Sequence, residues 1–169
     1  KIISKSYLSL YTLSPIFNCC LINLEDMLEN GTVINDKLVE SPKSFGTACT
    51  VTTQIIAQVS SNQYGGQSVD LIHLGKYLRR SYNKFRKAIE EKYKNKIPEH
   101  IIEDIVQERL RTELKSGVQT IQYQINTLMT TNGQSPFVTL FLHLEKDDPY
   151  IKENAMIIEE VIRQRYEGI

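Results

Sequence analysis

The stretch TTNGQSPFVTLFLHL, from Thr130 to Leu144, joins a polar loop that contains one glycine to an apolar run. The run Phe137–Leu142 predicts a strand, and its nearly continuous apolar character favours burial on both faces. The loop Thr130–Ser135 offers hydroxyls, amides and a backbone that a ligand can approach closely. It therefore predicts a ligand site, although a plain turn at Asn132-Gly133, with Pro136 opening the strand, explains the same residues equally well.

A second polar stretch, SSNQYGGQS from Ser60 to Ser68, shares the tripeptide Gly-Gln-Ser with that loop. It follows a predicted helix that begins at Ser44 or Thr47, because apolar residues recur there at helical spacing. The helical stripe consists of Ala48, Val51, Ile55 and Val59. The stretch matches neither common phosphate-binding pattern, so a helix stop at Gly65-Gly66 explains it as well as a ligand loop does.

An apolar strand is predicted from Ser14 to Leu24, and it contains Cys19 and Cys20. Neighbouring strand residues point to opposite faces, so at most one of these thiols faces a given site. Two buried, inert thiols are the alternative. With Cys49 the chain has three cysteines and no C-x-x-C spacing, which argues against a disulfide framework and a structural zinc site and favours a reducing cytoplasm.

The remaining patterns are mainly helical. A short helical turn and an Asn30-Gly31 turn are expected within residues 24–36, and an amphipathic helix within 70–96. A longer helix from Pro98 to about Met129 can bend near Gly117. The last helix has an apolar stripe of Ile151, Ala155, Ile158 and Ile162, and the amphipathic helix has one of Leu71, Leu74, Leu78, Phe85 and Ile89. This order of strands and helices predicts an α/β fold with parallel pairing; His73 and His100 are expected to be ordinary surface or capping residues.

Composition restricts the class of protein further. With 169 residues and 41% hydrophobic content, the chain can build one core or part of a larger one. Twenty basic and twenty acidic residues cancel, so a nucleic acid partner is not expected. The apolar runs are shorter than a membrane span and the start is not a signal peptide, so we expect a soluble protein. The abrupt opening at Lys1 suggests a piece of a longer chain.

Four stretches in order, NCCLINLEDMLENGT, PKSFGTACT, TQIIAQVSSNQYGGQS and QTIQYQINTLMTTNGQSPFVTLFL, resemble the catalytic subunit of anaerobic, class III ribonucleoside-triphosphate reductase. The resemblance implies a ten-stranded α/β barrel around a finger loop, with long helices between parallel strands. Residues 1–169 would be a single partial domain, the first half of that barrel. Residues 1–13 depart from the family, because they lack its His-Asp pair.

The resemblance also implies the chemistry. Such enzymes make the deoxyribonucleotides used in DNA replication through a glycyl radical that generates a thiyl radical on a finger-loop cysteine. That cysteine, the glycyl-radical segment and a four-cysteine zinc site are expected beyond Ile169, so the fragment alone is expected to be inactive. The sequence Arg165-Tyr166-Glu167-Gly168 only superficially resembles a radical site. The implied partners are a ribonucleoside triphosphate, ATP and deoxynucleotide effectors, a radical-SAM activating enzyme and a second copy of the chain.

Site residues follow from the same resemblance. A thiol of Cys19 or Cys20 would lie beside the substrate ribose, and the spacing to the Asn30-Gly31 turn favours Cys19. The residues implied in substrate binding or base selection are Asn18, Asn62, Gln63, Tyr64, Gly65, Gly66, Gln67, Thr130, Thr131, Asn132, Gly133, Gln134 and Ser135. A glycyl-radical enzyme of the formate-lyase type and a non-enzymatic α/β interaction module are the alternatives.

Overall fold

The computed structural model describes residues 19–34, 36–62, 65–93, 96–127 and 135–168, and for Asn62 the backbone alone. In chain order the elements are β1 (Cys20–Leu21), α1 (Leu24–Glu29), β2 (Thr32–Ile34), β3 (Lys37–Val39), α2 (Phe45–Asn62), β4 (Gln67–Asp70), a 3₁₀ turn (Leu71–Leu74), α3 (Gly75–Tyr93), α4 (Glu99–Thr127), β5 (Val138–Phe141) and α5 (Ile151–Glu167). A helix that could span a bilayer is not found among these residues.

The strands form two sheets. β4 lies between β1 and β5, and both neighbours run parallel to it. β2 and β3 form a separate antiparallel hairpin after α1. Parallel strands need long crossovers, and here helices supply them. The expected α/β class with parallel pairing is confirmed, whereas the ten-stranded barrel stays a prediction because three parallel strands are described.

The central strand β4 is where the sequence interpretation was wrong. Gln67 and Ser68 were assigned to a polar loop, and a helix was expected from Asp70, but all three lie in the strand. The segment holds one aliphatic residue in four, so it carries almost no period-two signal. Pairing on both sides stabilises it instead, and Asp70 then caps the 3₁₀ turn through a 3.2 Å bond from Ile72 N to Asp70 Oδ1.

Helix α2 begins where the sequence predicts, because its first amides all find acceptors. Ser44 Oγ accepts from Thr47 N at 3.4 Å, Ser81 Oγ accepts from Phe45 N at 2.9 Å, and Glu113 Oε1 accepts from Gly46 N at 3.0 Å. The predicted stripe is confirmed, since Ala48, Val51 and Ile55 are buried and Val59 packs against the core. Two of these three caps come from other helices, so the start of α2 is also a tertiary contact.

The core lies on one face of the parallel sheet. It joins Val69 of β4 to the buried sides of α2, α3, α4 and α5. The predicted stripe of α3 is confirmed, with Leu74, Leu78 and Ile89 buried and Phe85 packed against them. The opposite face of the sheet is not covered by the described elements.

This one-sided cover corrects the expectation for β5. The strand was expected to be buried on both faces, but its residues alternate between half-buried and exposed. Val138 and Leu140 pack on the core, whereas Thr139 and Phe141 are exposed. A continuous apolar run indicates a strand that can be buried on both faces, but tertiary packing decides whether a second layer covers it.

Helix α5 is also rotated relative to the prediction. Ile162, from the predicted stripe, is 57% exposed, while Ile157 and Val161 are buried. The buried face also carries polar residues: Glu153 pairs with Arg79 of α3, and Asn154 Nδ2 donates to Asp148 Oδ2 at 2.6 Å. The spacing of apolar residues gives no sign of a helix face that is buried through polar contacts. The stripe predicted from that spacing is therefore not the face of α5 that is buried.

Candidate functional site

The strand register brings three predicted site stretches together at the amino end of the parallel sheet. Cys20 is aligned with Gln67, and Gln67 is aligned with Val138. The backbone N–H of Cys20 donates to Gly66 O at 3.1 Å, and that of Gln67 donates to Phe137 O at 2.8 Å. Residues far apart in the sequence therefore meet at one edge, and Ser135 lies just before it.

The two adjacent cysteines lie on opposite faces, as strand geometry predicts. Cys20 is partly buried and packs against the core, whereas Cys19 is exposed. Leu21 follows the same alternation and is 69% exposed. Cys19 therefore belongs to the open face of the sheet.

The open face combines hydroxyl groups with apolar side chains. Ser68 and Thr139 are aligned with Leu21 across the three strands. Phe137, beside the Gly66 backbone, is 78% exposed. A ligand placed here would meet a thiol, hydroxyls and aromatic surface but no charged group from this cross-strand row.

The structure describes some of the remaining predicted site residues and not others. Gly65, Gly66, Gln67 and Ser135 are described, and Asn62 ends α2. The Gln67 side chain is buried against α2 rather than displayed on the open face. Asn18, Gln63, Tyr64, Thr130, Thr131, Asn132, Gly133 and Gln134 lie outside the described residues.

A polar cavity at the carboxyl end of the same sheet was missed. Its volume is about 510 Å³. His143, two residues past β5, lies 3.6 Å (Nδ1) from Asp70 Oδ2 and 3.4 Å (Nε2) from Glu145 Oε1, and His73 Nδ1 lies 4.0 Å from Glu25 Oε2. The signal that could have located it is the pair Asp70 and His143, which lie at or just past the carboxyl ends of two parallel strands.

Three of the six carboxylates that line this cavity accept hydrogen bonds from groups within it. Lys76 donates a hydrogen bond to Glu29, and this contact lowers the pKa of the Glu29 carboxyl. Asp70 and Asp148 accept from the amides of Ile72 and Tyr150. Among the described residues, no group of three or more His, Cys, Asp or Glu side chains is placed to hold a metal ion.

A parallel α/β sheet with an exposed thiol at the amino end of its open face is compatible with an α/β catalytic or ligand-binding domain. The family model for anaerobic ribonucleoside-triphosphate reductase matches residues 7–169, so the chain belongs to this family. The match confirms the resemblance and favours it over a formate-lyase-type enzyme or an interaction module.

Individual relatives agree with the family model. The chain is 40% identical over 157 residues to the anaerobic ribonucleoside-triphosphate reductase of Escherichia coli strain K12. It is 35% identical over 158 residues to the enzyme of the same name from Enterobacteria phage T4. Each alignment covers 92% of this chain but 21% and 24% of the respective relative. The chain thus spans less than a quarter of the length of these relatives.

Proposed function

We propose that this chain is the part of an anaerobic ribonucleoside-triphosphate reductase that presents a thiol, Cys19, to the substrate ribose. The observation that carries the proposal is the register at the amino end of the sheet, which puts Cys19 on the open face beside Gly66, with Phe137 one strand further on. Family membership supplies the reaction class. Cys20 takes no direct part, because its side chain packs on the core.

The reduction replaces the ribose 2′-hydroxyl with hydrogen and releases water, which takes two electrons and two protons. The Cys19 thiol can supply one of each as a hydrogen atom, and a second donor outside this chain supplies the other. With a thiol as that donor, two S–H bonds break and one S–S bond forms. Transfer of a hydrogen atom does not require a thiolate. An open face that carries Leu21, Phe137 and strand hydroxyls, with no charged group in this row, is therefore suited to a neutral thiol.

Two loops would complete the site. The loop through Gly65 and Gly66 enters β4 beside Cys19 and would border the substrate. The loop Thr130–Ser135 enters β5 on the other side and would select the base under control of an effector. Backbone amides and short polar side chains can bind ribose and phosphate without net positive charge, in keeping with this chain's balanced composition.

Further parts of the proposal concern the complete protein. Ribonucleoside triphosphate, ATP and deoxynucleotide effectors, a radical-SAM activating enzyme and a homodimer are all proposed from family membership. The glycyl radical and the structural zinc would be held by residues outside this chain. A cytoplasmic location is proposed on the same ground.

Matched cysteine substitutions in the complete protein test the role of Cys19. After anaerobic activation, Cys19→Ala should lower ribonucleotide reduction to background, because the reacting hydrogen is lost. Cys20→Ala should keep most of the turnover and lose about 1 kcal/mol of stability, as expected for a small truncation against a core. The assay is formation of deoxynucleoside triphosphate. If Cys20→Ala is inactive and Cys19→Ala is active, the reacting thiol is that of Cys20, and the assignment of this role to Cys19 fails.

A further inference from the structure

Gln67 joins the predicted substrate loop, yet its side chain does not face the open side of the sheet. The residue is 1% exposed. Its Nε2 donates to the backbone oxygen of Ile56 at 3.1 Å and to Ser60 Oγ, both in the last turns of α2. Val69, two residues along on the same face of β4, is part of the core. A direct contact between the Gln67 amide and substrate is therefore not what this geometry provides.

Packing alone does not explain why an amide side chain occupies position 67. Its Oε1 is buried and has no hydrogen-bond partner among the described residues. A buried acceptor left unpaired costs about 1–3 kcal/mol, and an apolar side chain of similar shape would avoid that cost. The useful part of the side chain is the Nε2 group, which ties β4 to α2.

The Gln67 side-chain bonds lie where α2 meets the amino ends of β1, β4 and β5. The backbone N–H of Gln67 donates to Phe137 O, and the oxygen of the preceding Gly66 accepts from Cys20 N. The Nε2 bonds add the last turns of α2 to the same point. Holding Gln67 in place therefore holds Gly66 and the start of β4 next to Cys19.

We propose that Gln67 is a positioning residue: its buried amide sets the position of Gly65 and Gly66, which lead into β4, relative to Cys19 and does not touch the substrate. This inference rests on the proposed function. Gly65 and Gly66 would border the bound substrate and not its reacting atoms, so the loss is expected as weaker substrate binding, which appears in KM.

Gln67→Leu removes both bonds together with the unpaired acceptor. In the complete enzyme it should raise KM for the ribonucleoside triphosphate about 10- to 100-fold, as expected for two neutral hydrogen bonds, while the midpoint of thermal unfolding stays level or rises. Ser60→Ala removes one of the two acceptors and should raise KM by about 2- to 10-fold, as expected for one neutral hydrogen bond. A merely structural role would change the unfolding midpoint and leave KM unchanged.

Gln122→Leu is the matched control. Gln122 is also 1% exposed, its Oε1 also lacks a partner among the described residues, and its Nε2 donates to Gln164 Oε1 at 3.4 Å. It joins α4 to α5 instead of joining a helix to the sheet. Its substitution removes an unpaired acceptor but also leaves Gln164 Oε1 without its donor, so the unfolding midpoint is expected to fall, and KM should keep the wild-type value.

The measurements are KM, kcat and the unfolding midpoint of the wild type and the three variants. A wild-type KM in a folded Gln67→Leu enzyme overturns the positioning role while the proposed function stands. If Gln67→Leu does not fold, Ser60→Ala decides, and an unchanged KM there overturns it equally. A wild type that reduces no ribonucleotide overturns the proposed function first and this inference with it.

Discussion

Cys49 is the most deeply buried of the three thiols, and its surroundings make it a structural residue. It is fully buried where α2 meets α4. Burial raises the pKa of the Cys49 thiol well above its ordinary value, and the Glu113 carboxylate raises this pKa further. The neutral thiol is thus the folded form of Cys49.

The raised pKa makes stability depend on pH in one direction. The unfolded chain ionises Cys49 above about pH 8.5, whereas the folded chain keeps it protonated, so stability is present below that pH and is lost as pH rises toward the folded pKa. We predict that urea unfolding from pH 7.5 to 10 shows a shallower fall in Cys49→Ala than in the wild type. The difference approaches about 1.4 kcal/mol per pH unit.

The control for Cys49 is Val51→Ala, a buried truncation on the same helix that removes no titratable group. It should lower stability at every pH and keep the wild-type slope. Parallel slopes for Cys49→Ala and the wild type would show that Cys49 ionises alike in both states.

Gly117 governs how closely α2 and α4 pack. A Cβ atom at this position would lie 2.6 Å from Phe45 Cε1 and 2.9 Å from Cys49 Sγ. The sequence suggested a point where the helix can bend, and α4 instead continues through it as one helix. The glycine is required because the neighbouring helix occupies the space of a side chain.

We predict that Gly117→Ala lowers the free energy of unfolding by about 1–2 kcal/mol. Overpacking costs about 1–3 kcal/mol and outweighs the gain of up to about 1 kcal/mol in helix propensity. Gly46→Ala is the control, since the nearest atom to its Cβ would be Glu113 Oε1 at 3.4 Å. Urea unfolding of both variants is the measurement. A Gly117→Ala protein as stable as Gly46→Ala would mean that α2 and α4 can separate without loss.

At the scale of the whole molecule, Gly66 leads into β4 and Ser135 leads toward β5, its neighbour in the sheet. Backbone bonds from Cys20 to Gly66 and from Gln67 to Phe137 connect β1, β4 and β5 at this end of the sheet. A shift in the loop before β5 can therefore reach β4 and Cys19 through one set of bonds. This is a physical route for an effector to act on substrate choice, as proposed for Thr130–Ser135.

We predict that Gln134→Ala in the complete protein blurs the effector-dependent choice of substrate and leaves some basal turnover. Coupling between an effector and a substrate site is typically about 1–3 kcal/mol, or roughly 5- to 150-fold in affinity. The measurement is the ratio of products from competing ribonucleotides, with and without each deoxynucleotide. An unchanged ratio in a folded Gln134→Ala protein would remove this role from Gln134, and the same result for Asn132→Ala would remove it from the loop.

The helices and the α/β class could be predicted because their signals are local. Ser44 caps the start of α2, and the apolar residues of the α2 and α3 stripes recur at helical spacing over a few turns. The opposite orientation of Cys19 and Cys20 also follows from the geometry of a single strand. Motif order alone was enough to place the chain in its family.

Only the tertiary structure decided how these elements meet. β4 exists because two distant strands pair with it, and QSVD alone does not predict a strand. The buried face of α5 was chosen by Arg79, Asp148 and other polar partners, and the exposed side of β5 by the lack of a described layer over it. Strand register and layer cover depend on residues remote in sequence, so helical or strand periodicity within one segment carries no information about them.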